Sequence, residues 1–287
     1  MSENRGLLVL GMFIFFTMYR DFIHEQLQKA SDLARSYFGK VTDEIKQTDS
    51  SQVVTKADRE IGQMIIAAIK KQFPDHNTID EEAGGTDKHS LFTWVIDPID
   101  GTSNYALSLP FYGCMVGLLH DGKPIAGGIA LPYFQEIYTA EKGKGTIGPN
   151  EPLRVTSQTD LSQMLLAYAT DKHPDVTTQQ EEVKIFGRIV QEVRNIRATN
   201  SVYDSIQVAN GKYSAFLNHS SKIWDNVGQQ CIIEEAGGMY TDLYGKPIDY
   251  SDPMQKLEQN FTFCAAAPQI HEQLQEIIHG RNKDNGI

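Results

Sequence analysis

The stretch Trp94-Val95-Ile96-Asp97-Pro98-Ile99-Asp100-Gly101-Thr102-Ser103-Asn104-Tyr105 decides how this chain is read. Trp94 to Ile96 form an apolar run that predicts a short buried strand. It leads into an acidic turn with Pro and Gly, after which small polar residues can open a helix. Asp97 and Asp100 lie close together, and no Lys or Arg occurs between Lys88 and Lys123 to neutralise them. Two such carboxylates repel by about 4 kcal/mol at ~4 Å in an effective dielectric of ~20, and a bound cation relieves the repulsion. Asp, Pro and Gly also build ordinary turns, so this stretch alone does not separate a metal site from a loop.

Working outward, Asp80-Glu81-Glu82-Ala83-Gly84-Gly85 is a second acidic cluster, which in isolation reads as a solvated turn. Upstream, Ile61, Met64, Ile65, Ala68 and Ile69 recur at helical spacing and Pro74 closes the element. Asp58 lies near its start, where a carboxylate suits the helix dipole and can serve as a cap. An earlier amphipathic helix carries Ile23, Leu27, Ala30, Ala34 and Tyr37 and ends at Gly39; a polar stretch from Thr42 to Gln52 then leads to Val53-Val54.

Downstream the pattern is a meander: Cys114 to Leu119, a turn at Asp121-Gly122, Ile125 to Leu131, a break at Pro132, then Glu136 to Ala140. Gly143 to Gly148 is another turn; it lacks the Lys-Ser/Thr ending of a nucleotide P-loop and receives no phosphate role. The second half predicts strands over 164–169, 193–197 and 213–217 and helices over 181–191 and 201–209. Trp224-Asp225 opens a further helix on which Val227, Cys231, Ile232 and Ala236 share a face, ended by Gly237-Gly238. No internal repeat or low-complexity linker intervenes. The reading is one unit of layered helices and sheets over 19–283, with a soft seam near Asn150.

A chain of 287 residues with 40% hydrophobic and 22% charged residues is an ordinary globular protein. Its net charge of −11 argues against a nucleic-acid surface, which needs clustered Lys and Arg. A small phosphate-bearing molecule would be repelled as well, unless metal ions reverse the local sign. Cys114, Cys231 and Cys264 are odd in number and widely spaced, and read as buried thiols in a reducing, cytoplasmic setting. The apolar run from Gly6 to Phe16 is shorter than the ~20 residues of a spanning helix, which argues against a membrane partner. Glu3 beside Arg5, and Tyr19-Arg20-Asp21 after the run, do not suit a signal peptide. Met18 is read as an alternative start and residues 1–18 as a dispensable extension.

A lone Asp225 would also read as a helix cap. Together with Glu81, Asp97 and Asp100 it completes a set of four hard oxygen ligands without His or Cys, which suits Mg2+ rather than Zn2+. Glu81-Glu82, the stretch Trp94 to Thr102, Trp224-Asp225 and Glu235-Ala236-Gly237-Gly238 resemble, in order and spacing, the signature regions of the inositol monophosphatase family. These are Mg2+-dependent, lithium-sensitive phosphatases, and the resemblance runs from about Tyr19 onward. It implies a five-layer α-β-α-β-α sandwich of the α/β class, usually a homodimer. It implies further that Glu81, Asp97, Asp100, Asp225 and the carbonyl of Ile99 hold metal, that Asp58 holds a weaker ion, and that two or three Mg2+ are involved. Gly101 and Thr102 are implied to offer backbone N–H groups to phosphate, a role a helix N-terminus suits on physical grounds. Thr102, hydrogen-bonded to Glu81, is implied to position and deprotonate the attacking water. Asp225 and the residue seven positions before it are implied to line the substrate pocket. Inositol phosphatases carry Glu at that earlier position; this chain has Asn218, whose amide lacks the charge that strengthens a hydrogen bond.

The expected activity is Mg2+-dependent hydrolysis of a small polyol or sugar phosphate monoester, inositol 1-phosphate first. Rival substrates are histidinol phosphate, fructose bisphosphate and adenosine 3',5'-bisphosphate. A rival of another kind is a regulatory binding protein on the same fold; loss of a metal carboxylate or of Thr102 would favour it, and all are present.

Overall fold

The computed structural model describes residues 3–40, 44–45, 53–172 and 175–280, with 3–18, 44–45 and 53–54 through their backbone alone. The first half of the chain runs α1 (Glu3–Tyr37), β1 (Glu44–Ile45), β2 (Val53–Val54), α2 (Lys56–Gln72), β3 (Asn77–Asp80), β4 (Gly84–Thr86), β5 (Phe92–Asp100), α3 (Thr102–Ala106), β6 (Gly113–His120), β7 (Lys123–Leu131), β8 (Glu136–Glu141) and β9 (Thr146–Ile147). The second runs β10 (Leu165–Ala169), α4 (Val176–Glu192), β11 (Asn195–Arg197), α5 (Tyr203–Ala209), β12 (Tyr213–Ser221), α6 (Ile223–Glu235), β13 (Met239–Thr241), β14 (Phe261–Ala266) and α7 (Pro268–Ile278).

Two large sheets result. One has seven strands in the order β4-β3-β5-β6-β7-β8-β9, the other five in the order β11-β10-β12-β14-β13. Amphipathic α1 and α2 bury Ile23, Leu27, Ile61 and Ile65 against Trp94, Ile96, Val116 and Leu118 on one face of the larger sheet. Between the sheets, Ile206 and Val208 of α5 and Ile232 and Ile233 of α6 pack against Met115, Ile129, Phe216 and Phe263. On the outer face of the smaller sheet, Ile185 and Ile189 of α4 and Ile270 and Leu274 of α7 cover Leu166, Leu217 and Cys264. The layers therefore alternate α-β-α-β-α, as expected.

Helix α6 is enclosed on all sides because it is the middle layer, and every residue from Asn226 to Ile233 is buried. Glycines let its backbone lie directly on the larger sheet. A Cβ on Gly228 would stand 2.5 Å from Met115 Cγ, and one on Gly127 would stand 2.5 Å from the Gly228 carbonyl oxygen.

Several expectations change. Helix α1 begins at Glu3, so the apolar run over 6–16 continues the same helical path, although its side chains lie outside the described residues, as do most of the stretch 42–52 and residues 281–283. Among the described residues no helix is long and apolar enough to cross a membrane. The strand at Trp94 continues to Asp100, which puts both central acids on β5 rather than in a turn. Strands β4, β13 and β14 and helix α7 were not anticipated: β4 and β13 are only 3 residues long, and β14 lacks a period-2 signal because four of its residues in a row are buried. The three cysteines are free and buried, as expected.

Candidate active site

In a regular strand, residues three apart point to opposite faces. Asp97 and Asp100 escape this rule. Asp97 pairs with Met115 and Asp100 with Gly113, so β5 spends three steps where β6 spends two. The extra residue, at Pro98-Ile99, is a bulge, and Pro suits it because no ladder N–H is needed there. The bulge turns both carboxylates toward one point.

Three further elements aim acids at that point. Strand β3 runs parallel to β5 with Asp80 opposite Ile96, and the next residue, Glu81, donates its N–H to the Ile96 carbonyl at 3.3 Å. The buried carboxylate of Asp80 accepts the N–H groups of Glu82 and Ala83 at 3.0 and 2.7 Å and so shapes the turn that presents Glu81. Asp58 and Asp225 occupy the same place in different helices, the third helical residue after the N-cap, and at Asp58 the Thr55 hydroxyl completes a capping box. One oxygen of each accepts the N-cap N–H, from Thr55 at 2.8 Å and Lys222 at 2.5 Å. Asp58 is thus a cap, as its position suggested, and it also has a second oxygen that is buried without a hydrogen-bond partner.

Oxygens of Asp97, Asp100 and Asp225 all lie within 4.8 Å of one another. Burial raises the Asp97 carboxyl well above the usual range, and the charges of Glu81, Asp100 and Asp225 raise it further. Burial and Asp225 likewise raise Asp100, which accepts the Val202 N–H. Burial first and Glu81 second push Asp225 up to about 7, and burial pushes Asp58 up to about 7. Asp97 keeps one buried oxygen with no hydrogen-bond partner. Orphaned carboxylate oxygens, all-oxygen chemistry and mutual repulsion fit a hard divalent cation.

Gly101 follows at once in the left-handed region, φ 77°, and starts α3. A Cβ there would meet the Phe111 carbonyl oxygen and Ser201 Cβ, each at 3.0 Å, so only Gly fits. Thr102 Oγ1 donates to the Ile99 carbonyl at 2.8 Å. The threonine proton therefore goes to the carbonyl of the expected ligand Ile99, where Glu81 was the anticipated partner. Asn104 ties this corner together by donating to the carbonyls of Phe111 at 2.7 Å and Thr199 at 2.8 Å.

Asn218 lines a cleft that also contains Asp100, Asp225, Asp171, Asn200 and Ser220. All nine residues singled out from sequence are thus placed: Asp97, Asp100 and Asp225 form the cluster, Glu81 and Asp58 act on it by charge, Ile99, Gly101 and Thr102 follow on the same strand and helix start, and Asn218 faces it across the cleft. Val202, Asn200 and Asp171 were missed. Val202 contributes a backbone N–H to an acid 102 positions away, which no local pattern signals. The loop over 143–148, denied a phosphate role, gives its Gly143 and Gly145 N–H groups to Glu235 at 2.9 and 2.8 Å, which accounts for the glutamate of the second motif.

A cluster of carboxylates at strand and helix ends, beside a glycine-led helix start, is an arrangement that could hold a metal ion. The sequence profile of the inositol monophosphatase family matches residues 18–281, and the chain belongs to that family. It is 32% identical over 219 residues to the fructose-1,6-bisphosphatase/inositol-1-monophosphatase of Aquifex aeolicus, covering 75% of this chain and 81% of that one. It is 29% identical over 206 residues to the Nus factor SuhB of Pseudomonas aeruginosa, covering 70% and 76%. The IMPase structure of Thermotoga maritima superposes with a TM-score of 0.78 at 28% identity, covering 91% of this chain and 96% of that one.

Proposed function

We propose that this protein hydrolyses a small polyol or sugar phosphate monoester, inositol 1-phosphate foremost, to the alcohol and inorganic phosphate, with Mg2+ as cofactor. The convergence of the Asp97, Asp100 and Asp225 carboxylates within 4.8 Å carries the reading. Glu81, Asp97, Asp100, Asp225 and the Ile99 carbonyl would hold the ions, with Asp58 at the periphery. When bound, such ions acidify water and neutralise a departing alkoxide.

The chain's own groups do the positioning. N–H groups of Gly101 and Thr102, at the start of α3 and without intrahelical acceptors, receive phosphate oxygens. Thr102 Oγ1 donates its O–H to the Ile99 carbonyl, so its lone pairs accept from the attacking water and fix its direction. Glu81, set at the end of β3, takes the proton released as the water oxygen bonds to phosphorus. The ester P–O bond breaks on the opposite side, and the alkoxide is protonated from solvent. Sensitivity to Li+, a homodimer and a cytoplasmic location belong to the same reading and rest on family membership. The SuhB relative favours a second reading, a regulatory binding protein; the complete carboxylate set and Thr102 favour catalysis.

Phosphate release from a panel of monoesters, with Mg2+ and with EDTA, tests the proposal. Release that requires Mg2+ is expected, and a folded protein releasing none from any monoester overturns it.

A further inference from the structure

The cleft beside the cluster has a second acidic residue whose position follows from the sheet. Strands β10 and β12 are parallel with Ala169 opposite Asn218, so Asp171, two residues past Ala169, emerges next to Asn218 at the same edge. Both line the cleft together with Asn200 and Ser220, and Asp171 is not part of the Asp97, Asp100 and Asp225 cluster. Among the described residues, those lining the cleft include three carboxylates and no Lys or Arg.

Asp171 is held in place. Asn200 Nδ2 donates to its carboxylate at 3.0 Å, and Gln179 of α4 donates to its backbone carbonyl at 3.3 Å. Asn200 does this from the left-handed region, φ 55°, which costs a non-glycine residue energy. The polarity of the neighbouring group is also set. The Asn218 carbonyl oxygen accepts the Ser220 N–H at 2.9 Å, which leaves its NH2 to face a ligand as a donor. An amide donor beside a carboxylate acceptor suits neighbouring hydroxyls, each of which both donates and accepts. A second phosphate would meet the Asp171 charge with no Lys or Arg among the described residues of the wall to offset it.

We infer that Asp171, positioned by Asn200, is a specificity-determining residue that selects a neutral, hydroxyl-bearing leaving group and rejects a second phosphate on the substrate. This rests on the phosphatase reading above and narrows its substrate class to polyol monophosphates.

The test measures kcat/KM for inositol 1-phosphate and fructose 1,6-bisphosphate, with Mg2+, in the full chain and in Asp171→Asn, Asp171→Glu and Asn200→Gly. Wild type should prefer the monophosphate. Asp171→Asn should raise the bisphosphate-to-monophosphate ratio about tenfold, as expected when one like charge is removed. Asp171→Glu should return most of the preference. Asn200→Gly keeps the backbone conformation and removes only the amide, so it should raise KM for inositol 1-phosphate with kcat held, and move the ratio in the same direction by less. An unchanged ratio in an active Asp171→Asn protein overturns the inference and leaves the phosphatase reading standing. A folded Asp171→Asn protein inactive on both substrates assigns Asp171 to the chemistry and also overturns the selection role. Wild type that releases phosphate from no monoester overturns both readings.

Discussion

The end of β5 and the ends of β10 and β12 serve one cleft from two different sheets, and they are built under different rules. At β5 the acids sit on a bulged strand, paired on both sides, with Asp97 buried and its neighbours fixed by backbone hydrogen bonds. At β10 and β12 the polar groups lie on or beyond strand ends, where Asp171 and Asn200 are exposed and joined by a single side-chain hydrogen bond. A group that must hold a charge in a low dielectric needs the first kind of support; a group that chooses among substrates in partial contact with water does not. Substitutions at the two ends should therefore differ in both size and kind.

The largest effect belongs to β5. Asp97→Asn should lower Mg2+-dependent turnover by roughly three orders of magnitude or more, in the range seen when groups that stabilise transition-state charge are removed. The metal-free variant should melt no lower than wild type, because a repelling charge is gone. Near-normal turnover would remove Asp97 from the ligand set. Next is Thr102→Ala, expected to reduce kcat by roughly 10² to 10³ with little change in KM, since orienting the water matters only in the chemical step. A raised KM with kcat held would make Thr102 a phosphate-binding group only.

The third effect concerns pH. Burial places the carboxyls of Asp225 and Asp58 near 7 in the folded protein, above their unfolded values. The native state then binds protons that the unfolded state has released. Their stabilising contribution is complete below about pH 4 and is lost as pH rises through about 7. In EDTA, Tm should fall by several degrees from pH 5 to pH 8. Saturating Mg2+ should flatten that slope, because the cation replaces the protons. A metal-free Tm that rises over this range would show that the cluster is not the strained part of the fold.

The smallest effect is expected at β12. Asn218→Glu should improve inositol 1-phosphate over glycerol 2-phosphate about fivefold in kcat/KM, the difference between a charged and a neutral hydrogen bond. An unchanged ratio would mean that position 218 does not contact the ring.

The same contrast governs what could be read from sequence. The β5 acids were legible because Trp94 to Thr102 carries strand, bulge, acids and helix start within one contiguous stretch. Asp225 was legible as a helix start. The bulge itself was not, since a turn and a bulged strand use the same Asp, Pro and Gly residues. Asp171 and Asn200 gave no signal because their pairing spans 29 positions and depends on the parallel register of β10 with β12, which only the folded sheet sets.

The glycine contact beneath α6 gives this division of labour a mechanical basis. With Gly127 against the Gly228 backbone and Gly228 seated on the Met115 side chain, the helix carrying Asp225 lies so close to the larger sheet that no further side chain fits at either glycine. A joint of that kind has almost no compliance, because close-packed interiors transmit displacement instead of absorbing it. Asp225 stays registered to Asp97 while the exposed rim at β10 and β12 is free to drift in sequence, so new leaving-group preferences can arise from loop substitutions without retuning the hydrolytic centre.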